Sequence, residues 1–202
     1  MQRAPIVSEP HALDAALRVL KEGGVIAFPT DTLYGIGCTF GRPRAIERVA
    51  RMRGIDRARR PLTFLLPDLG VVARYANVTE AGHGILSRIF PGPYCVELEA
   101  TAVVPDAFVV GNRRTIGVRV PDHPFCERLL WGLRLPVLTA TAKARDGRAL
   151  TDAAAIAEEL GADLDLVVDG GVLDGLPSTV VSLADDWVTV LRQGRGPADR
   201  LL

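Results

Sequence analysis

The sequence predicts an α/β domain built on one mixed β-sheet with flanking helices. Apolar stretches of helical and strand period alternate along the whole chain. The last three strand-like stretches, 165–171, 178–184 and 187–194, follow one another without a helix. That breaks the rhythm expected of an all-parallel sheet. No linker rich in Gly, Pro or Ser divides residues 1–202, so the chain reads as a single domain. At this length a domain buries roughly 70% of the surface its unfolded chain exposes.

The elements follow in order. "HALDAALRVLKEGG" carries apolar residues at helical spacing and stops on a glycine pair, with Gly23 as the C-terminal signal. "VIAF" at 25–28 is a continuous apolar run, a buried strand, and it enters a loop, "PTDTLYGIG", of unusual polarity. "RPRAIERVARMR" is a second helix with Ile46, Val49 and Ala50 on one face. "PLTFLL" is a short buried strand, and "DLGVVARYA" and "TEAGHGILSRIF" are helical. After the "PGPY" turn, "CVELEA" alternates as a half-exposed strand does, and "RTIGVRVP" is another strand. "PFCERLLWGL" is a helix, "LPVLTATA" a strand, and "TDAAAIAEEL" a helix opened by a Thr or Asp cap.

With 24 basic and 24 acidic residues, formal net charge is zero, and nothing global points to nucleic acid or an anionic membrane. The start "MQRAPIVSEP" lacks the cationic and apolar regions of a secretory signal, and no apolar run reaches the ~18 residues of a spanning helix. Cys38, Cys95 and Cys126 are scattered, as reduced thiols in a cytoplasmic protein are. With His11, His83 and His123 they show no metal-ligand spacing.

Local charge says more. Residues 42–60 hold eight arginines (42, 44, 48, 51, 53, 57, 59 and 60) against Glu47 and Asp56. The chain has only two lysines, so arginine is its default cation, yet such crowding calls for an anion to relieve repulsion. No GxxxxGK[ST] loop is present, and "GIG" at 35–37 lacks the rest of a dinucleotide fingerprint. Asp31 reads as a base, a metal ligand or a turn-capping carboxylate. Pro177-Ser178-Thr179, Arg192 and Arg195, and the trio Thr139, Thr141 and Lys143 each stand at a strand end. Ligands of open α/β sheets collect at such ends.

"GGVIAFPTDTLYGIG", "RMR" before "PLTFLL", "PGPYCVEL", "TIGVRVPDHP", "VVDGG", "PSTVV" and "VLRQGRG" together resemble the YrdC-like (TsaC/YciO) family of threonylcarbamoyl-AMP synthases. The resemblance runs from about residue 8 to 196. "RRTIGVRVP" and "YANV" bring the chain nearer the YciO branch. It implies a twisted mixed sheet with a basic concave surface. The implied substrates are ATP, L-threonine and bicarbonate, with Mg2+ accompanying the ATP. The implied products are threonylcarbamoyl-AMP, which serves N6-threonylcarbamoylation of tRNA, and pyrophosphate. The alternative it implies is a YciO-type paralogue that binds nucleotide or double-stranded RNA without synthesis.

Site residues follow by motif. Arg51 and Arg53 of the KxR-like motif would be catalytic cations. Thr32, Tyr34, Arg119, Thr141 and Ser178 would hold threonine. Arg53, Cys95, Lys143, Thr179 and Arg192 would hold the nucleotide. Cys95 stands where the family has a threonine, and Thr141-Ala142-Lys143 stands where it has S-x-N.

Overall fold

The computed structural model describes residues 3–54, 62–184 and 187–201. Arg57, Arg59 and Arg60 of the basic cluster lie outside them. Among the described residues, one ten-stranded sheet runs through the molecule in the order β1-β8-β2-β3-β7-β4-β6-β5-β9-β10. Its strands are β1 (Ile6–Ser8), β2 (Ile26–Phe28), β3 (Gly35–Thr39), β4 (Thr63–Leu65) and β5 (Tyr94–Glu99), then β6 (Thr115–Arg119), β7 (Val137–Thr141), β8 (Leu166–Asp169), β9 (Thr179–Ser182) and β10 (Thr189–Arg192). The mixed character is confirmed: β1, β8 and β2 run parallel, whereas β2–β3, β3–β7 and β7–β4 are antiparallel.

Two strands depart from the sequence reading. β1 is three residues long, too short to show a period. β3 passes through Gly35 and Gly37 inside what reads as loop, because glycines depress strand propensity. Gly35 is required by packing. A Cβ there would stand 2.8 Å from the Thr139 hydroxyl and 3.3 Å from the Phe28 ring.

Helices cover the two faces unequally. Strand residues alternate between faces with period two. On one face Ala27, Ile36, Leu138, Phe64, Val118, Val96 and Val181 join the apolar residues of α2 (Pro43–Met52), α3 (Leu69–Tyr75), α4 (Glu80–Ile89) and α6 (Ala153–Leu160). On the other, Ile26, Phe28, Val137, Leu65 and Val168 pack against α1 (Glu9–Lys21) and α5 (Pro124–Leu133). Two helices cannot roof ten strands. The second face is therefore open over β5, β6 and β9, whose residues alternate between buried and half-buried. Thr63 of β4, Thr139 of β7, Cys95 of β5 and Gly117 and Arg119 of β6 share that face because their strands are in register.

Helix ends follow the capping rules. Asp68, Thr79 and Asp152 each accept a hydrogen bond from the backbone N–H three residues on, capping α3, α4 and α6. Beyond α1, Gly23 takes φ 86°, a left-handed conformation that glycine adopts without steric cost. No helix among the described residues is long and apolar enough to cross a membrane.

Candidate functional site

The loop between β2 and β3 opens the site. Thr30 closes it as a turn: its hydroxyl donates to the Leu33 carbonyl (2.7 Å) and accepts from the Thr32 N–H (3.1 Å). That turn points the Thr32 hydroxyl at Ser178 Oγ, 3.4 Å away and 146 residues on. Both residues are buried. Behind the loop, the Cys126 thiol donates to the Pro29 carbonyl (3.3 Å).

Thr32 and Ser178 lie at one wall of a cavity of about 290 Å3 on the open sheet face. Arg119, Arg192, Thr63, Cys95, Thr139 and Thr141 line the remainder, with Gly35 beneath. Arg192 is held over it by a hydrogen bond from Nη2 to the Ser178 carbonyl (2.9 Å). Arg119 is held by Asp31, whose Oδ1 accepts from Nη2 at 2.6 Å. The pair is secluded, with side chains 12% and 8% exposed. Asp31 Oδ2 and Arg119 Nε are buried with no hydrogen-bond partner among the described residues. Burial pushes the Cys95 thiol pKa up, against the opposing pull of Arg119. Cys95 is therefore a neutral thiol at pH 7, a small polarizable wall rather than a nucleophile.

Seven of the residues expected from sequence therefore share one hollow: Thr32, Tyr34, Cys95, Arg119, Thr141, Ser178 and Arg192. Tyr34 joins with a qualification. Its hydroxyl donates to the Gly171 carbonyl (2.7 Å) and accepts from the Gly170 N–H (3.0 Å), so its phenol oxygen ties the β8 end to the loop.

The other four do not line the cavity. Thr179 faces the opposite side of the sheet, registered with Tyr94; its hydroxyl donates to the Gly196 carbonyl (2.6 Å) and accepts from the Gly194 N–H (2.9 Å). That side chain shapes the turn that presents Ser178. A Cβ at Gly194 would stand 2.3 Å from the Pro177 carbonyl oxygen, so the turn closes only over glycine. Lys143 continues the alternation of Thr139 and Thr141 two residues past the lining. Arg51 belongs to α2, whose buried residues pack under the other sheet face, and its guanidinium is 69% exposed, 3.5 Å from Asp163. Arg53 is the C-terminal cap of α2; its Nε is buried with no hydrogen-bond partner among the described residues, and burial lowers its pKa.

The expected crowding of arginines thus resolves differently. Arg48 pairs with Asp165 and Arg51 with Asp163, carboxylates more than 110 residues away, and Arg42 donates to the Lys21 carbonyl. Three of the cluster's described arginines, Arg42, Arg48 and Arg51, thus find acceptors on the protein itself. Sequence spacing alone gives no sign of those partners. It also misses Thr63 and the Asp31–Arg119 pair, whose members stand 88 residues apart.

No trio of His, Cys, Asp and Glu side chains among the described residues could hold a metal ion, and no carboxylate lines the cavity. The lining of two guanidiniums and several hydroxyls suits anions attached to a small polar body.

Comparison with known proteins agrees with this architecture. The model of the Sua5/YciO/YrdC family, described as telomere recombination, matches residues 18–194. The uncharacterized protein YciO of Escherichia coli is 33% identical over 190 residues, covering 93% of this chain and 91% of its own. Its crystal structure superposes with a TM-score of 0.91 over 100% of both chains. The threonylcarbamoyl-AMP synthase of Bacillus subtilis is 30% identical over 93% of this chain but only 54% of its own length. Pyrococcus abyssi Sua5, solved in complex with L-threonine, is 26% identical, with a TM-score of 0.87 over 98% of this chain and 60% of that one. A mixed sheet with one open face, the polar hollow upon it and these matches together place the chain in the Sua5/YciO/YrdC family.

Proposed function

We propose that this chain is an L-threonylcarbamoyladenylate synthase, joining L-threonine, bicarbonate and ATP with release of pyrophosphate, for N6-threonylcarbamoylation of tRNA. One observation carries the reading: Thr32, Ser178, Arg119 and Arg192, from four distant stretches of chain, meet around a single hollow on the open sheet face. Its volume of about 290 Å3 is near the low end of small-ligand sites, typically ~300–1,000 Å3. That suits a small amino acid held inside, with a nucleotide reaching out along the sheet. The family relative bound to L-threonine supports that choice of occupant.

The chemistry asks for positioning more than for acid or base. Bicarbonate loses water to give CO2, the threonine amine adds to it and gives up a proton to form a carbamate, and a carbamate oxygen displaces pyrophosphate from the α-phosphorus of ATP. Two anions must approach each other, and fixed cations in a secluded site offset the Coulomb cost. Arg119, locked by Asp31, is the fixed cation for the threonine carboxylate. Arg192, hung from the Ser178 carbonyl, meets the phosphates. The Thr32 and Ser178 hydroxyls orient the amino acid. Mg2+, in this reading, arrives on the phosphates of ATP, because the lining offers it no carboxylate.

The experiment is direct: purified chain, ATP, L-threonine and labelled bicarbonate, with chromatography of the products. A labelled adenylate and stoichiometric pyrophosphate are expected. Arg119→Ala and Arg192→Ala should each lower the rate by about 10²-fold or more, the usual scale for removing a charge-stabilising donor. Unaltered ATP at saturating threonine overturns the proposal.

A further inference from the structure

A second concavity lies at the other end of β4 and β7. The polar hollow takes Thr63 at the start of β4 and Thr139 and Thr141 near the end of β7. Pro67, just past β4, and Pro136, just before β7, line the second cleft instead. At ~3.3 Å per residue, roughly 13 Å of strand separates Thr63 from Pro67. Helices α3 and α5 come from opposite faces of the sheet and close around this end. Tyr75 and Val71 stand on one side, Leu130 and Trp131 on the other.

The cleft has a volume of about 530 Å3, larger than the polar hollow, and falls in the small-ligand range. Its lining is mostly apolar, yet it leaves Trp131 51% and Leu135 47% exposed. Single exposed apolar side chains are ordinary; an indole and a leucine gathered around a concavity are not.

Two arginines border it, Arg74 and Arg134, and no carboxylate among the described residues pairs with either. Arg74 lies over the Tyr75 ring, 5.7 Å from its centroid, a cation–π contact. Arg134 is the C-terminal cap of α5 with φ 56°. Glycine holds that left-handed position without penalty, whereas a side chain there costs free energy. A cation is thus kept at the cleft mouth by a residue that the backbone itself disfavours, and such outliers gather at ligand sites.

We propose that this cleft is a second ligand site, for a small amphipathic anion. The apolar body, of the size of a short acyl chain or an aryl ring, would lie between Trp131, Leu130 and Tyr75. A carboxylate, sulfonate or phosphate head would meet Arg74 and Arg134. The concave shape argues for a small molecule over a flat protein interface, and two cations at its mouth, with no carboxylate partner among the described residues, argue for a negative head.

The chain has two tryptophans, so Trp187→Phe leaves Trp131 as the sole indole reporter. Titration of that protein with sodium octanoate should give a saturable blue shift as the half-exposed ring is covered. Octan-1-ol, the same body without the charge, should bind about tenfold more weakly, the effect of one lost charge-assisted contact. Arg74→Gln with Arg134→Gln should erase that preference while leaving the alcohol's response in place. Arg134→Gly adds a control for folding: it should melt no lower than the parent yet bind octanoate about tenfold more weakly. The proposal fails if octanoate and octanol respond alike in the parent protein. It fails equally if the shift never saturates, or if Trp131 is already shielded by self-association detectable in gel filtration.

Discussion

Asp31 and Arg119 show most plainly how single residues bear on the site. A buried ion pair is a poor source of net stability, but removing one partner strands the other and typically costs ~3–5 kcal/mol. We therefore expect Asp31→Ala to destabilise the fold by about 3 kcal/mol in urea unfolding. The double substitution Asp31→Leu, Arg119→Met should recover most of that loss while abolishing threonine binding in calorimetry. Strictly additive losses would show that the two side chains act separately. Cys95 provides a second check at this scale. Because burial raises its pKa, it should react with a disulfide reagent at pH 8 well below the rate of a free cysteine, whose pKa is ~8.5. Sequence marks Thr32 and Ser178 because hydroxyls at the end of apolar runs are conspicuous. It marks Asp31 only as a choice among base, ligand and cap. The fact that decides between these is a guanidinium 88 residues away, and no local pattern carries it.

Among the elements, the strands of the open face matter most. Glu97 lies there on β5, registered with Gly117, and burial raises its carboxyl pKa. Burial thus favours the protonated form. The fold therefore binds that proton more tightly than the unfolded chain does, and its contribution to stability is present at low pH and lost as pH rises through the folded pKa. We expect Glu97→Gln to be the more stable protein at pH 7, with the difference closing as pH falls below the ordinary carboxylate range. An equal or larger difference at pH 3 would contradict this. On β3, Gly35→Ala should cost about 1–3 kcal/mol through overpacking against Thr139 and Phe28. Its effect on activity should exceed its effect on stability, since the new methyl enters the cavity floor. Helices with clear periods and caps are legible in the sequence to within a residue or two, as α5 and α6 show. β1 and β3 are not, the first for lack of length and the second because its glycines answer to a contact across the sheet.

At the largest scale, the decisive feature is the mismatch, among the described residues, between ten strands and two covering helices on one face. It leaves a polar, concave surface, and it decides which expected residues can act together. Thr179 and Arg51 resemble site residues by motif, but the alternation of β9 turns Thr179 to the covered face, and α2, docked under that face, leaves Arg51 exposed to solvent away from the hollow. The fold class could be read from interspersed periods, whereas the division of residues between faces needed the sheet order, and no spacing along the chain reveals that order.

The central claim is that the hollow bounded by Thr32, Ser178, Arg119 and Arg192 is where L-threonine is held. A crystal structure of the chain soaked with L-threonine and AMP tests it most directly. The account expects the amino acid carboxylate on Arg119, its polar side within reach of Thr32 and Ser178, and the AMP phosphate toward Arg192. Threonine found elsewhere on the molecule, or an unchanged hollow at saturating threonine, would contradict it.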